Sequence, residues 1–226
     1  GRSKKMVWWD GPTVLGALED FVVPKRSGGD TAASIQYVQR IAGGGRRYLA
    51  SVSSGEIEVG QVLFSPRYPD RELRVTSLSE SGVDVQKATA PAEISCGIDL
   101  DLDLQRGHVL GTGDLLQHTD QFEADVVWLD DAGGVPGRNY LVRLGHAAVK
   151  ATMTRVFSLD ENGEKAGQVD HVDVNRTVRV NIETHEKLTL TTFDSVPELG
   201  RFIFVDQVTG NTVAVGTVNH TLRRAD

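Results

Sequence analysis

The chain has 226 residues, 39% hydrophobic and 24% charged, which is enough to bury one large or two small cores and too apolar for a disordered segment. Its net charge of −7 argues against a nucleic-acid binder that relies on a basic face. The charge is uneven: residues 1–117 carry 13 Lys/Arg against 15 Asp/Glu, and residues 118–226 carry 11 against 16.

The lone cysteine, Cys96, can form no internal disulfide, and with no histidine near it in sequence it reads as a small apolar residue on a buried strand. No apolar run approaches the ~20 residues of a membrane span, and no signal peptide opens the chain. The expected location is therefore the cytoplasm, with no membrane partner. Both ends, Gly1-Arg-Ser-Lys4 and Arg223-Arg-Ala-Asp226, read as cut from something longer.

In chain order, the first element is a helix over about residues 12–22. Val14, Leu15, Leu18, Phe21 and Val22 fall on one helical face, Pro12 suits the first turn, and Pro24 stops the pattern. Trp8 and Trp9 precede it, where they are expected to fix it against a neighbouring domain. Residues 24–33 form a polar, Gly-rich connector, so that residues 1–33 read as a linker.

From there strands follow one another: Ile35–Val38, Arg47–Val52, Ile57–Val59, Gln61–Phe64, Leu73–Val75, Val83–Val85, Ala92–Cys96 and Val109–Leu110. Gly-, Pro- and Ser-rich turns separate them. Such spacing over residues 34–117 predicts a small closed barrel rather than a βαβ sheet. Asp99, Asp101 and Asp103 alternate with Leu100, Leu102 and Leu104 and are expected to be the wet face of a further strand. A second series begins near His118: Phe122–Leu129, Tyr140–Arg143, Val149–Thr154, Thr177–Ile182, Leu188–Leu190, Arg201–Val205 and Thr212–Val215. Strict alternation in Val178, Val180 and Ile182 gives one buried and one wet face. Residues 118–226 therefore predict a second antiparallel barrel, its last two strands joined by a tight loop at Asp206–Asn211.

Signatures of chemistry are missing. A phosphate-binding loop needs Gly-x-x-x-x-Gly-Lys-Ser/Thr, and the chain has no Gly-Lys dipeptide; Gly43-Gly-Gly45 reads as a hairpin loop without a following helix. The six histidines are scattered, and Asp170-His-Val-Asp173 offers too few ligands for zinc. No Gly-x-Ser-x-Gly elbow appears. No catalytic, cofactor-binding or metal-binding residue is nominated. The candidate contact residues are Trp8, Trp9, Arg46, Arg47, Arg67, Arg71 and Arg138, with Arg74 beside them in the first barrel. Arg46, Arg47, Arg67, Arg71 and Arg74 could gather on one face of the first barrel and hold a polyanion, but the overall acidity opposes it.

Several phrases together resemble the second and third domains of translation-factor-type GTPases, and within that superfamily the GTPase subunit of bacterial sulfate adenylyltransferase. Met6-Val-Trp-Trp-Asp-Gly-Pro-Thr-Val-Leu15 is similar to the segment that leaves the GTPase domain. Gln36-Tyr-Val-Gln-Arg40 resembles the first strand of the sulfurylase branch, and Ser54-Gly-Glu-Ile-Glu-Val-Gly-Gln-Val-Leu63 the hairpin shared with elongation factors. Ile98 to Leu110 resembles the strand and Arg-Gly turn that close the first barrel. Phe122 to Trp128, Pro136 to Tyr140, Gly200 to Asp206 and Gly210 to Gly216 follow the same branch in order. Ser65 to Arg71 and Leu144 to Thr152 depart from it, changes expected to sit in loops.

The resemblance implies two consecutive antiparallel Greek-key barrels like domains 2 and 3 of elongation factor Tu, preceded by one short helix. It implies a parent that couples GTP hydrolysis to making adenylylsulfate from ATP and sulfate, with GTP and Mg²⁺ bound outside this chain. The implied partners are an N-terminal GTPase domain, a separate adenylyltransferase subunit and, from His220-Thr-Leu-Arg-Arg-Ala-Asp226, a downstream adenylylsulfate kinase domain. The alternative is a translation elongation factor-like barrel pair that binds transfer RNA.

Overall fold

The structure is a computed structural model, and it describes residues 5–6, 8–21, 29–41 and 44–222. Val22, Pro24 and Gly43, along with residues 223–226 of the ending compared with fused forms, lie outside the described residues. The helix is shorter than its apolar pattern, α1 covering Val14–Glu19 with Thr13 as N-cap, its Oγ1 accepting from the Gly16 amide at 3.0 Å. None of its side chains is buried.

The first barrel is made of β1 (Ala32–Arg40), β2 (Arg46–Ser54), β3 (Glu56–Glu58), β4 (Val62–Ser65), β5 (Tyr68–Glu80), β6 (Val83–Asp84), β7 (Lys87–Thr89), β8 (Ala92–Ile98) and β9 (Val109–Gly111). Its sheet runs β4-β9-β1-β2-β8-β5 and then closes by a β4–β5 pairing, giving a ring of six antiparallel strands. Closure leaves only the short β6 and the β3–β7 ribbon outside the ring, so few backbone edges stay unpaired. Tyr48, Ala50 and Val52 point inward from β2, and Ala33 and Ile35 from β1, to a core that also holds Leu63, Leu73 and Val75.

The second barrel comprises β10 (Gln117–Trp128), β11 (Asn139–Leu144), β12 (Ala147–Leu159), β13 (Lys165–Gln168), β14 (Thr177–Leu190), the one-turn α2 (Pro197–Gly200), β15 (Arg201–Val205) and β16 (Thr212–Thr221). Its ring runs β11-β15-β16-β10-β14-β12 and closes through β11–β12. The core is aromatic. Trp128 meets Tyr140 edge-on at 5.6 Å, Tyr140 meets Phe204 at 5.2 Å, and Phe202 contacts both Phe204 and Phe122.

The local structure departs from the sequence reading in three places. Asp99 to Leu104 is not a strand. β8 ends at Ile98, and the Leu102 carbonyl accepts from Arg46 Nη1 at 3.0 Å and Tyr48 Oη at 3.4 Å, so side chains replace a ladder there. Thr177–Ile182 and Leu188–Leu190 are one 14-residue strand, β14, which bulges against β10: the pairs Thr119–Leu188 and Gln121–Glu183 leave residues 184–187 of β14 opposite Asp120 alone. The Ser65–Arg71 segment is mostly strand, since β4 and β5 are joined by only Pro66 and Arg67.

The barrels share a small third core. Ala32 and Val109 of the first pack with Val196 and Leu199 of the second, flanked by Leu115 and Leu116 of the connection. A Cβ on Gly107 would lie 2.9 Å from the Ala147 backbone, so this approach requires glycine; Gly107 also has φ +90°.

Candidate functional site

The sequence-nominated contact residues fall into separate groups. Trp8 and Trp9 stack edge to face at 6.1 Å, and Trp9 Nε1 donates to the Pro12 carbonyl at 2.9 Å. Trp8 is nevertheless 74% exposed, and Leu18 and Phe21 are 69% and 67% exposed. With Met6, Val14 and Leu15 they form a run of exposed apolar side chains on a six-residue helix and its approach. Exposed apolar groups of this density make the segment a candidate contact surface.

The arginines are dispersed. Arg46 is half-buried against the Asp99–Leu104 loop, 3.0 Å from Asp101 and 3.8 Å from Asp103. Arg47 donates to Ser77 Oγ at 3.3 Å, and Arg74 to the Gly60 carbonyl at 2.9 Å. Arg67 and Arg71 are exposed on the β4–β5 hairpin. Arg138 belongs to the second barrel, where it pairs with Asp206 and lies over the Tyr140 ring at 5.6 Å. Arg46, Arg47, Arg74 and Arg138 are thus engaged in contacts within the chain.

Titratable groups in the interior have structural roles. Burial pushes the Cys96 thiol up to about 12, far from the thiolate a nucleophile needs. Beneath β13, Lys165 pairs with Glu123, while Arg179 takes Asp125 in a bidentate pair at 2.7 and 2.9 Å. Burial raises the Asp125 pKa, but hydrogen bonds from Arg179 and Asn219 outweigh it and hold the carboxyl below its ordinary value. His171 Nε2 lies 3.5 Å from Asp173 on an exposed loop. Among the described residues there is no group of three or more His, Cys, Asp or Glu that could hold a metal ion. Gly44 and Gly45 lead directly into β2, so no helix N-terminus follows to cradle a phosphate.

The sequence reading did not find the cleft between the barrels, of about 860 Å³. A signal was available. Val127, Ile203 and Val215 break the apolar/polar alternation of β10, β15 and β16, adding apolar side chains to outward-facing positions.

Comparison with known proteins gives this architecture relatives. Residues 121–219 match the family model of GTP-eEF1A C-terminal domain-like barrels. Over its full length the chain is 29% identical to the bifunctional enzyme NodQ of Rhizobium sp. (strain N33), covering 35% of that protein. It is 28% identical, again over its full length, to sulfate adenylyltransferase subunit 1 of Aliivibrio salmonicida, covering 48% of it. The chain is homologous to these proteins from end to end. It spans less than half the length of each. Among solved structures, Sup35 complexed with GDP superposes with a TM-score of 0.78 at 20% identity, over 96% of this chain and 53% of that one. Elongation factor SelB from Methanococcus maripaludis gives 0.74 at 17%, over 93% and 47%. These two likenesses establish the fold: a pair of barrels of the translation-factor type. No helix among the described residues is long and apolar enough to cross a membrane.

Proposed function

We propose that the chain is the barrel portion of a sulfate-activating GTPase subunit and serves as a docking scaffold rather than a reaction centre. The observation that carries this reading is the end-to-end similarity to sulfate adenylyltransferase subunit 1 and NodQ, at 28% and 29% identity. In this reading the parent hydrolyses GTP to drive formation of adenylylsulfate from ATP and sulfate in the cytoplasm. GTP and Mg²⁺ bind a GTPase domain outside these residues. The exposed Trp8, Trp9, Leu15, Leu18 and Phe21 supply the apolar area with which the scaffold seats that domain. Burying such side chains gives ~1.5–3 kcal/mol each, enough for a nucleotide-dependent change at the GTPase to alter how the barrels are held. The adenylyltransferase subunit then docks on the barrels, Arg67, Arg71 and Arg138 being the proposed contacts, and an adenylylsulfate kinase domain follows in fused forms.

The test is calorimetric titration of GTP, with Mg²⁺, into this chain and into the full-length gene product. The reading expects no heat of binding for the chain and micromolar binding for the full-length protein. Tight binding by the chain alone, or none by the full-length protein, overturns it.

A further inference from the structure

The cleft between the barrels has a floor built in two rows across the outside of the second barrel. Strand register places Arg143, Ile203, Val215, Val127 and Thr177 side by side on β11, β15, β16, β10 and β14. A parallel row runs Arg201, Thr217, Asp125 on β15, β16 and β10. All eight residues line the cleft. Directly opposed cross-strand positions bring side chains within about 5.5 Å of each other. The centre of the first row is therefore a continuous apolar strip of Ile203, Val215 and Val127, with a guanidinium at one end and a hydroxyl at the other. Phe193 adds an aromatic wall.

The opposite wall belongs to the first barrel. Ser34, Ser51 and Ser53 point outward from β1 and β2, their neighbours Ile35, Ala50 and Val52 pointing to the core. Ser34 is only 4% exposed, and its hydroxyl has no hydrogen-bond partner among the described residues. A buried hydroxyl left unpaired costs about 1–3 kcal/mol, and here it borders the cleft, where an occupant can satisfy it.

The charges select the kind of occupant. Asp125 is already matched by Arg179 and Asn219. Arg143 and Arg201 are exposed and form no ion pair with any described residue, so they face the cleft as free cations. Glu198 stands on the α2 side and opposes a second acidic group there. Volumes of ~300–1,000 Å³ with an apolar lining and a few converging polar groups are those of small-molecule sites.

We propose that this interbarrel cleft binds a small amphipathic anion, with a flat apolar body over the Val127–Val215–Ile203 strip. One acidic group meets Arg143 and Arg201, and an acceptor atom takes the Ser34 hydroxyl. The site lies wholly on this chain and stands apart from the sulfate-activation reading.

The test uses 8-anilinonaphthalene-1-sulfonate, an aromatic body with a single sulfonate, titrated into the chain and followed by amide NMR shifts and by fluorescence. The expected result is one saturable site with shifts centred on Ser34, Arg143, Ile203 and Val215. Joint Arg143→Glu and Arg201→Glu substitution weakens binding by about tenfold or more, equivalent to ~1.4 kcal/mol. Val215→Trp, which fills the strip at a partly exposed position, abolishes binding; spectra unchanged away from the cleft show that each variant is folded. Leu15→Ser with Leu18→Ser leaves binding unchanged, separating the cleft from the apolar N-terminal segment. Shifts centred on residues 8–21, absence of saturable binding, or affinity indifferent to both the charge reversal and Val215→Trp overturns the proposal.

Discussion

The two barrels and the segment that precedes them handle the same residue types in opposite ways. In the barrels, Phe122, Trp128, Tyr140 and Phe204 are buried to 1% exposure or less in an interlocked aromatic core, and Leu63 and Leu73 are fully buried in an aliphatic one. In the segment, Trp8, Val14, Leu15, Leu18 and Phe21 are all more than 60% exposed. Each barrel closes its own hydrogen-bonded ring and supplies its own core, whereas a helix of under two turns has no such means. The barrel residues therefore hold this chain together, while the segment's apolar groups add little to its stability and stay available for the contact proposed above.

Substitutions should separate the two regions, most strongly in the second barrel. Trp128→Ala removes the largest fully buried side chain and should cost about 3–5 kcal/mol in chemical denaturation. Leu73→Ala should cost ~2–5 kcal/mol; a loss below 1 kcal/mol would mean that the first barrel's core is not closed as described. Arg179→Met deprives Asp125 of its bidentate partner and Glu123 of one of its cations and should cost about 1–3 kcal/mol, less at high salt than a core substitution of equal size.

A pH effect should be smaller. His108, His118 and His146 are partly buried, and burial, the largest cause for each, lowers their pKa values below 6.5. The unfolded chain takes up protons at these sites before the folded one does. Stability should thus be level above neutrality and decline as pH falls through 6.5 toward the lower folded-state values. Replacing all three by Gln should flatten the decline between pH 7 and 5.5, measured by thermal unfolding across that range. Smallest of all, Leu15→Ser with Leu18→Ser should change the stability of this chain by no more than about 0.5 kcal/mol, although it removes two large apolar groups.

Much of the barrel framework was legible because a strand with one wet face writes its burial as alternation, as in Val178, Val180 and Ile182. The helix was legible as a pattern but not as an exposed element, since periodicity reports which residues share a face and not whether anything covers it. Asp99 to Leu104 also alternates, yet forms a loop, because the Leu102 carbonyl is satisfied by Arg46 and Tyr48 from β2. That contact joins residues more than 50 positions apart, beyond the reach of local pattern. The cleft has the same character. Val127, Ile203 and Val215 are distant in sequence and become one strip only through the β15–β16–β10 register.

The account is tested most directly by the reaction itself. Under the proposed function, the full-length gene product purified together with an adenylyltransferase subunit should make adenylylsulfate from ATP and sulfate faster when GTP is present. Joint Trp8→Ser, Trp9→Ser and Leu18→Ser substitution should remove that GTP dependence while leaving the barrels folded. Adenylylsulfate formation indifferent to GTP in the unaltered protein, or a GTP dependence that survives the triple substitution intact, would contradict the claim that these barrels are docked by their exposed N-terminal segment to a sulfate-activating GTPase.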